Sequence, residues 1–307
     1  MEGLIPVWKE RGMTSHDCVF KLRKILRMKK IGHSGTLDPD VDGVLPVAIG
    51  KATKVIEYMM DSQKTYTGEI TIGFSTTTED SSGEIVERKT IIKTISEKDI
   101  DSAISNFTGT IKQTPPMYSA VKIDGKKLYE YAREGKVIDR PSREAMIYSF
   151  VRTSKLTINE NDKTLSFSFK VVCGKGTYVR TLAVDVGRYL GYPSHMSDLT
   201  REASSGFVRE EAFTLTELQE LMDQEKIEEA LLPLERALKK LPRYDLSEGE
   251  YLKVKNGSLL TRKQYMKEVE EQIVFYYSDL AVAIYRIHPR KTDYIKPAKV
   301  LRNELVV

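Results

Sequence analysis

The chain has 307 residues, 40% of them hydrophobic and 30% charged, with a net charge of +4. That balance excludes a disordered or fibrous chain and leaves room for two domains, and the mild basicity is compatible with a nucleic-acid partner without demanding one. No apolar run approaches the ~20 residues of a membrane helix, no secretory signal is expected at Met1–Trp8, and two distant cysteines with four scattered histidines offer neither a disulfide framework nor a zinc site, so a cytoplasmic setting is expected.

Gly3–Trp8 reads as a short strand, and Lys9-Glu-Arg-Gly-Met-Thr-Ser-His16 as a turn. Thr14 and Asp17 have the spacing of a capping box, and Val19, Leu22 and Leu26 then recur at helical spacing. The other faces of that helix carry Lys21, Arg23, Lys24 and Arg27, with Lys29 and Lys30 just beyond. Such a run is either a solvated face or a guide for a phosphate backbone. The next stretch, Ile31 to Gly50, is punctuated by glycine, proline and aspartate and ends in an apolar run. Gly and Pro set backbone geometry that other residues resist, so this loop reads as a built site. Asp38-x-Asp40-x-Asp42-Gly43 looks like the start of a calcium loop, but its twelfth position is Ile49, where a bidentate Glu is required.

Ala52–Met60 reads as a short helix, and a strand is expected from about Tyr66 to Phe74. On residue chemistry alone, Tyr66 is as well explained by a core position. Gly73–Gly83 is a polar loop, in which Asp80 can be no more than a turn residue. Ser96 caps a helix whose apolar face is Ile100, Ala103, Ile104 and Phe107. Pro115–Gly135 interleaves Tyr118, Tyr129 and Tyr131 with Lys122, Lys126, Lys127 and Arg133, a mixture that can stack on bases and neutralise phosphates. Thr164–Val172 alternates as a strand. Gly174-Lys-Gly176 then leads into a helix with Val179, Leu182, Val186 and Leu190 on its buried face. This Gly-x-Gly is expected to let the backbone approach something closely, but it lacks the third glycine of a dinucleotide site. Leu215–Met222 and Lys226–Leu232 read as helical. From Arg243 the texture changes to short strands, at Leu252–Gly257, Gln272–Tyr277 and Ala281–Arg286.

Gly32-His-Ser-Gly-Thr-Leu-Asp-Pro39, with Gly43, Leu45-Pro46 and Gly50-Lys-Ala-Thr-Lys54, resembles the active-site motif of the TruB family of tRNA pseudouridine synthases. Lys64-Thr-Tyr66, Pro115–Gly135, Gly174–Gly187 and Ser197-Asp-Leu-Thr-Arg201 resemble further motifs of that family. The family's usual Lys-Pro-x-Gly-x-Thr-Ser turn has Glu10 in place of Pro here, which puts the rigidity of that turn in question. The resemblance implies an α+β pseudouridine synthase fold: a mixed, largely antiparallel sheet with flanking helices in residues 1–242, and an RNA-gripping insertion at about 115–145. A small β-rich PUA-like domain at 243–307 would follow. It implies Asp38 as the catalytic residue, Arg180 as its ion-pair partner and Tyr66 beside the target base. Tyr178, Leu199, Asp80, His33 and Lys64 would be substrate contacts, though Leu199 could equally be core and His33 a structural loop residue. The implied reaction isomerises uridine-55 in the T loop of tRNA, with base flipping, no cofactor and no metal. The partner is tRNA through its T arm, with no membrane, and the protein is expected to act as a monomer. The rival reading is a tRNA-binding or remodelling protein without chemistry.

Overall fold

The computed structural model describes residues 1–91 and 94–304. Among them, a 10-stranded sheet forms the body of the molecule. Its main path runs Gly3–Lys9, Asp42–Ile49, Ser194–Ser204, Lys64–Ile72, Thr164–Cys173, Arg143–Arg152 and Gly109–Gln113. Neighbouring strands on this path are antiparallel, except for a short parallel contact in which Thr200 and Arg201 meet Asp42 and Gly43.

One face of the long strands is apolar because side chains alternate across a strand. Ile70, Phe167, Phe169 and Val171 on that face pack against Ile100 and Ile104 of the Glu97–Ser105 helix and Leu182 and Val186 of the Val179–Tyr189 helix. Gly3–Lys9 and Asp42–Ile49 instead read as near-continuous apolar runs, since both of their faces are covered. Ile5, Val7, Leu45 and Val47 meet the Ser15–Ile25 and Leu215–Asp223 helices. Leu4, Val44 and Ala48 point the other way, into a cluster shared with Val274, Ile284 and Leu301. The capping boxes expected at Thr14 and Ser96 are both formed.

The last residues form a 5-stranded sheet of Arg243–Asp245, Gln272–Tyr277, Leu280–Ile287, Tyr294–Val300 and Leu260–Thr261. Phe275 sits at its core, with Tyr244, Tyr265 and Tyr285 edge-on around it. Residues 305–307 of the expected 243–307 domain lie outside the described residues. Arg302 ties this sheet to the rest of the chain: it donates to Glu2 at 3.1 Å and to the Ala281 carbonyl at 2.9 Å, and it pairs with Glu235. No helix among the described residues is long and apolar enough to cross a membrane.

Two local expectations come out differently. The strand expected at Leu252–Gly257 is the end of a helix, Glu248–Val254, opened by a Ser247–Glu250 capping box. Tyr251 and Val254 are buried while Leu252 is exposed, so the real period is helical and too short to be told from alternation. The Gly-x-Gly expected to allow close backbone approach serves a turn instead. Gly176 has φ +79° with open space where a Cβ would stand, so it is needed for its left-handed conformation.

Candidate active site

Asp38 sits on the loop between the Ile31–His33 and Asp42–Ile49 strands, and its backbone is gripped on both sides. On one side, the buried Ser15 hydroxyl accepts from the Leu37 N–H at 2.8 Å and donates to the Leu37 carbonyl at 3.2 Å. On the other, the Pro39 carbonyl accepts from the Lys9 ammonium at 3.2 Å and the Gly12 N–H at 3.0 Å. Lys9 is fully buried and also binds the Glu10 and Met13 carbonyls, at 3.0 and 2.8 Å. The turn that lacks the usual proline is therefore held by a buried ammonium, whose pKa burial pushes below the ordinary lysine range.

Arg180, one residue into the Val179–Tyr189 helix, is 7% exposed and meets Asp38 at 3.1 Å. The same guanidinium lies 3.6 Å from Asp80 and donates to the Thr78 carbonyl at 3.0 Å and the Tyr118 carbonyl at 2.8 Å. One fork thus ties three segments of chain to its own helix, as a planar five-donor group can and an ammonium cannot. Asp80 is fixed in turn by Thr78 Oγ1 at 2.6 Å and by the Ser82 N–H and hydroxyl at 3.0 and 2.6 Å.

The sequence reading expects Arg180 to favour the carboxylate of Asp38. It does, but protein crowding around the group does more: burial pushes the Asp38 carboxyl above the ordinary range, and Arg180 offsets this in part. The side chain keeps 43% of its surface accessible and lines a cleft.

That cleft, about 570 Å³, is lined by Asp38, Asp80, Arg180 and Leu199 among the expected residues. It is also lined by Arg11, Tyr118, Tyr129 and Arg133. Tyr129 is flanked by two cations, with Lys127 and Arg133 each 5.3 Å from its ring centre. Arg11 bridges the rim, pairing with Asp198 at 2.6 Å and Asp42 at 3.3 Å.

The other expected residues lie around this cleft rather than on its wall. Tyr66 is 9% exposed and packs in the core cluster that also holds Leu37 and Leu199. Its phenol is pushed up by burial and eased down by Arg201. Tyr178 caps the Arg180 helix, half-buried, its phenol also raised by burial. The Gln113 side chain holds Tyr178 by both backbone groups, at 3.2 and 3.0 Å. His33 is half-buried with Nδ1 unpartnered, and burial and then Arg201 push its pKa down. Lys64 lies outside the cleft with its ammonium on the Met60 and Ser62 carbonyls, at 3.0 and 2.7 Å. Gln113 carries no sequence signal, and Ser15 and Arg201 fall within family motifs without any sign of what they hold, because each acts on a backbone or ring brought to it from elsewhere in the chain. Among the described residues, no three His, Cys, Asp or Glu side chains cluster as a metal site needs.

Residues 23–179 match the TruB family pseudouridylate synthase N-terminal domain, and residues 180–239 match the tRNA pseudouridylate synthase B C-terminal domain. The chain belongs to the TruB family. Its tRNA pseudouridine synthase B relative from Bacillus pumilus (strain SAFR-032) is 53% identical over 307 residues, covering 99% of each chain. The one from Halalkalibacterium halodurans is 51% identical over 304 residues, again covering 99% of each. Among solved structures, a Cbf5-Nop10-Gar1 complex contains a chain that superposes with a TM-score of 0.74 at 26% identity, covering 98% of this chain and 85% of the other. The two TruB domain matches meet at the junction of Tyr178, Val179 and Arg180, within the cleft region.

Proposed function

We propose that this TruB-family enzyme converts uridine-55 in the T loop of tRNA into pseudouridine, with Asp38 as the catalytic residue. The observation that carries this reading is the Asp38–Arg180 pair at 3.1 Å on an open cleft, with the backbone fixed on either side of Asp38. Positioning of this kind is what catalysis at a single carboxylate requires. In the reaction the bond from C1′ to N1 breaks, the uracil turns, and C5 bonds to C1′, losing its proton as N1 gains one. Atoms and electrons balance within the nucleotide, so the isomerisation calls for no cofactor.

The target uridine is stacked in the tRNA and must be flipped out at a cost of a few kcal/mol. Tyr129, Arg133 and the rest of the 115–145 insertion offset that cost by gripping the T arm. Arg180 keeps Asp38 ionised against its burial, and Asp80 holds Arg180 in place. Tyr66, below the cleft wall, stacks beside the base and takes part in removal of the C5 proton. Leu199 lines the base pocket, and Tyr178, beside the cleft, lies against the target nucleotide. His33 and Lys64, outside the cleft, contact RNA beyond the target nucleotide. Residues 1–242 form the catalytic domain, residues 243–307 a PUA-like RNA-binding domain, and the protein works as a monomer.

The test is incubation of the purified protein with an unmodified tRNA transcript, followed by mapping of pseudouridine. The expected product is pseudouridine at the T-loop uridine, absent with Asp38→Asn, which still binds tRNA. Tight binding by the wild type without isomerisation would replace this reading with one of tRNA remodelling.

A further inference from the structure

Arg201 is 1% exposed, and it has no carboxylate partner among the described residues. An unpaired buried cation is costly, so something about this position must require the charge. Its guanidinium donates from Nε to the Val44 carbonyl at 2.8 Å and from Nη2 to the Gly35 carbonyl at 2.9 Å. Gly35 rests on it so closely, at φ +76°, that a Cβ there would stand 3.3 Å from Nη1. Arg201 thus touches the Asp38 loop from below, three residues before the carboxylate. It is also the direct cross-strand neighbour of Tyr66, and paired residues on antiparallel strands put their side chains on the same face. Arg201 is thereby the neighbouring cation of the Tyr66 phenol, whose pKa it eases down against burial.

From this placement we infer that Arg201 is a positioning residue for Tyr66: it sets the phenol against the Asp38 loop and stabilises negative charge on the phenol oxygen during proton handling. The inference rests on the proposed role of Tyr66. Arg180 cannot take this part, since its four contacts are Asp38, Asp80 and the Thr78 and Tyr118 carbonyls. Burial by itself would hold the Tyr66 hydroxyl neutral and inert, and Arg201 is the cation that acts against this.

A double-mutant cycle tests it, using Arg201→Gln and Tyr66→Phe, each alone and together. The readouts are single-turnover pseudouridine formation in a tRNA transcript and tRNA affinity. Arg201→Gln is expected to lose about 10²-fold in rate with affinity within about twofold of wild type, and to cost nothing further in the Tyr66→Phe background. Equal rate losses in both backgrounds, or a normal rate, overturn the inference. Arg201→Lys, carried through the same cycle, keeps the charge and should recover part of the loss; if neither variant folds, Arg201 is structural and the inference is wrong. A wild type that makes no pseudouridine defeats the proposed function itself, which separates the two failures.

Discussion

Replacing Arg180 by lysine keeps the charge and removes the fork. The guanidinium serves Asp38 at 3.1 Å, Thr78 O at 3.0 Å and Tyr118 O at 2.8 Å. A single ammonium that stays with Asp38 leaves the two carbonyls without their donor. A hydrogen bond to a charged group is worth about 1.5–3 kcal/mol, and water in the open cleft restores part of two such bonds, so a stability loss of about 2–3 kcal/mol is expected. The cleft then loses the tie that aligns the Asp38 loop with the Thr78–Asp80 and Tyr118 segments. A shift of about 1 Å at a reacting group costs about 10²-fold in rate, equivalent to about 2.7 kcal/mol of barrier. The assay is single-turnover pseudouridine formation with saturating enzyme, beside a thermal melt and tRNA affinity. Arg180→Lys with a rate within about threefold of wild type and an unchanged melting temperature would refute the reasoning that the fork, rather than the charge, builds the site. Arg180→Ala also removes the charge between Asp38 and Asp80, so its acid rate limb should move to higher pH.

Asp38 must be ionised to react and burial raises its pKa, so the wild-type rate should climb with pH through a value above the ordinary aspartate range near ~3.9; a single-turnover pH profile checks this. The same shift has a stability consequence. The folded state holds the Asp38 proton more tightly than the unfolded one, so the stabilising contribution is present below the unfolded pKa and is lost as pH rises through the folded pKa. Asp38→Asn should accordingly melt no lower than wild type at neutral pH, while being inactive. Ser15→Ala leaves the buried Leu37 N–H and carbonyl without their shared partner, and should cost about 2–4 kcal/mol in denaturant unfolding and slow the reaction without altering tRNA affinity. Cys18 and Cys173 are buried, with burial pushing each thiol up to about 11, so neither should react with a thiol reagent at neutral pH until the protein unfolds.

The chain by itself carried the local chemistry. Gly-Thr-Leu-Asp-Pro39 marked the candidate-site loop, and Thr14-x-x-Asp17 and Ser96-x-x-Asp99 marked helix starts, because glycine, proline and capping residues act within a few residues of themselves. Arg180 was legible as a partner for Asp38 only through the family resemblance, since 142 positions separate them in the numbering (180 minus 38). What the tertiary structure alone decided was long-range. Ser15 and Lys9 grip the backbone on either side of Asp38, Gln113 holds Tyr178, and Arg201 comes to lie opposite Tyr66. Burial also decided the balance at Asp38, where desolvation outweighs its arginine. The sequence motifs do not say what these residues hold, because each contact joins distant parts of the chain, and a one-residue change of register would turn the Arg201 side chain to the other face of the sheet.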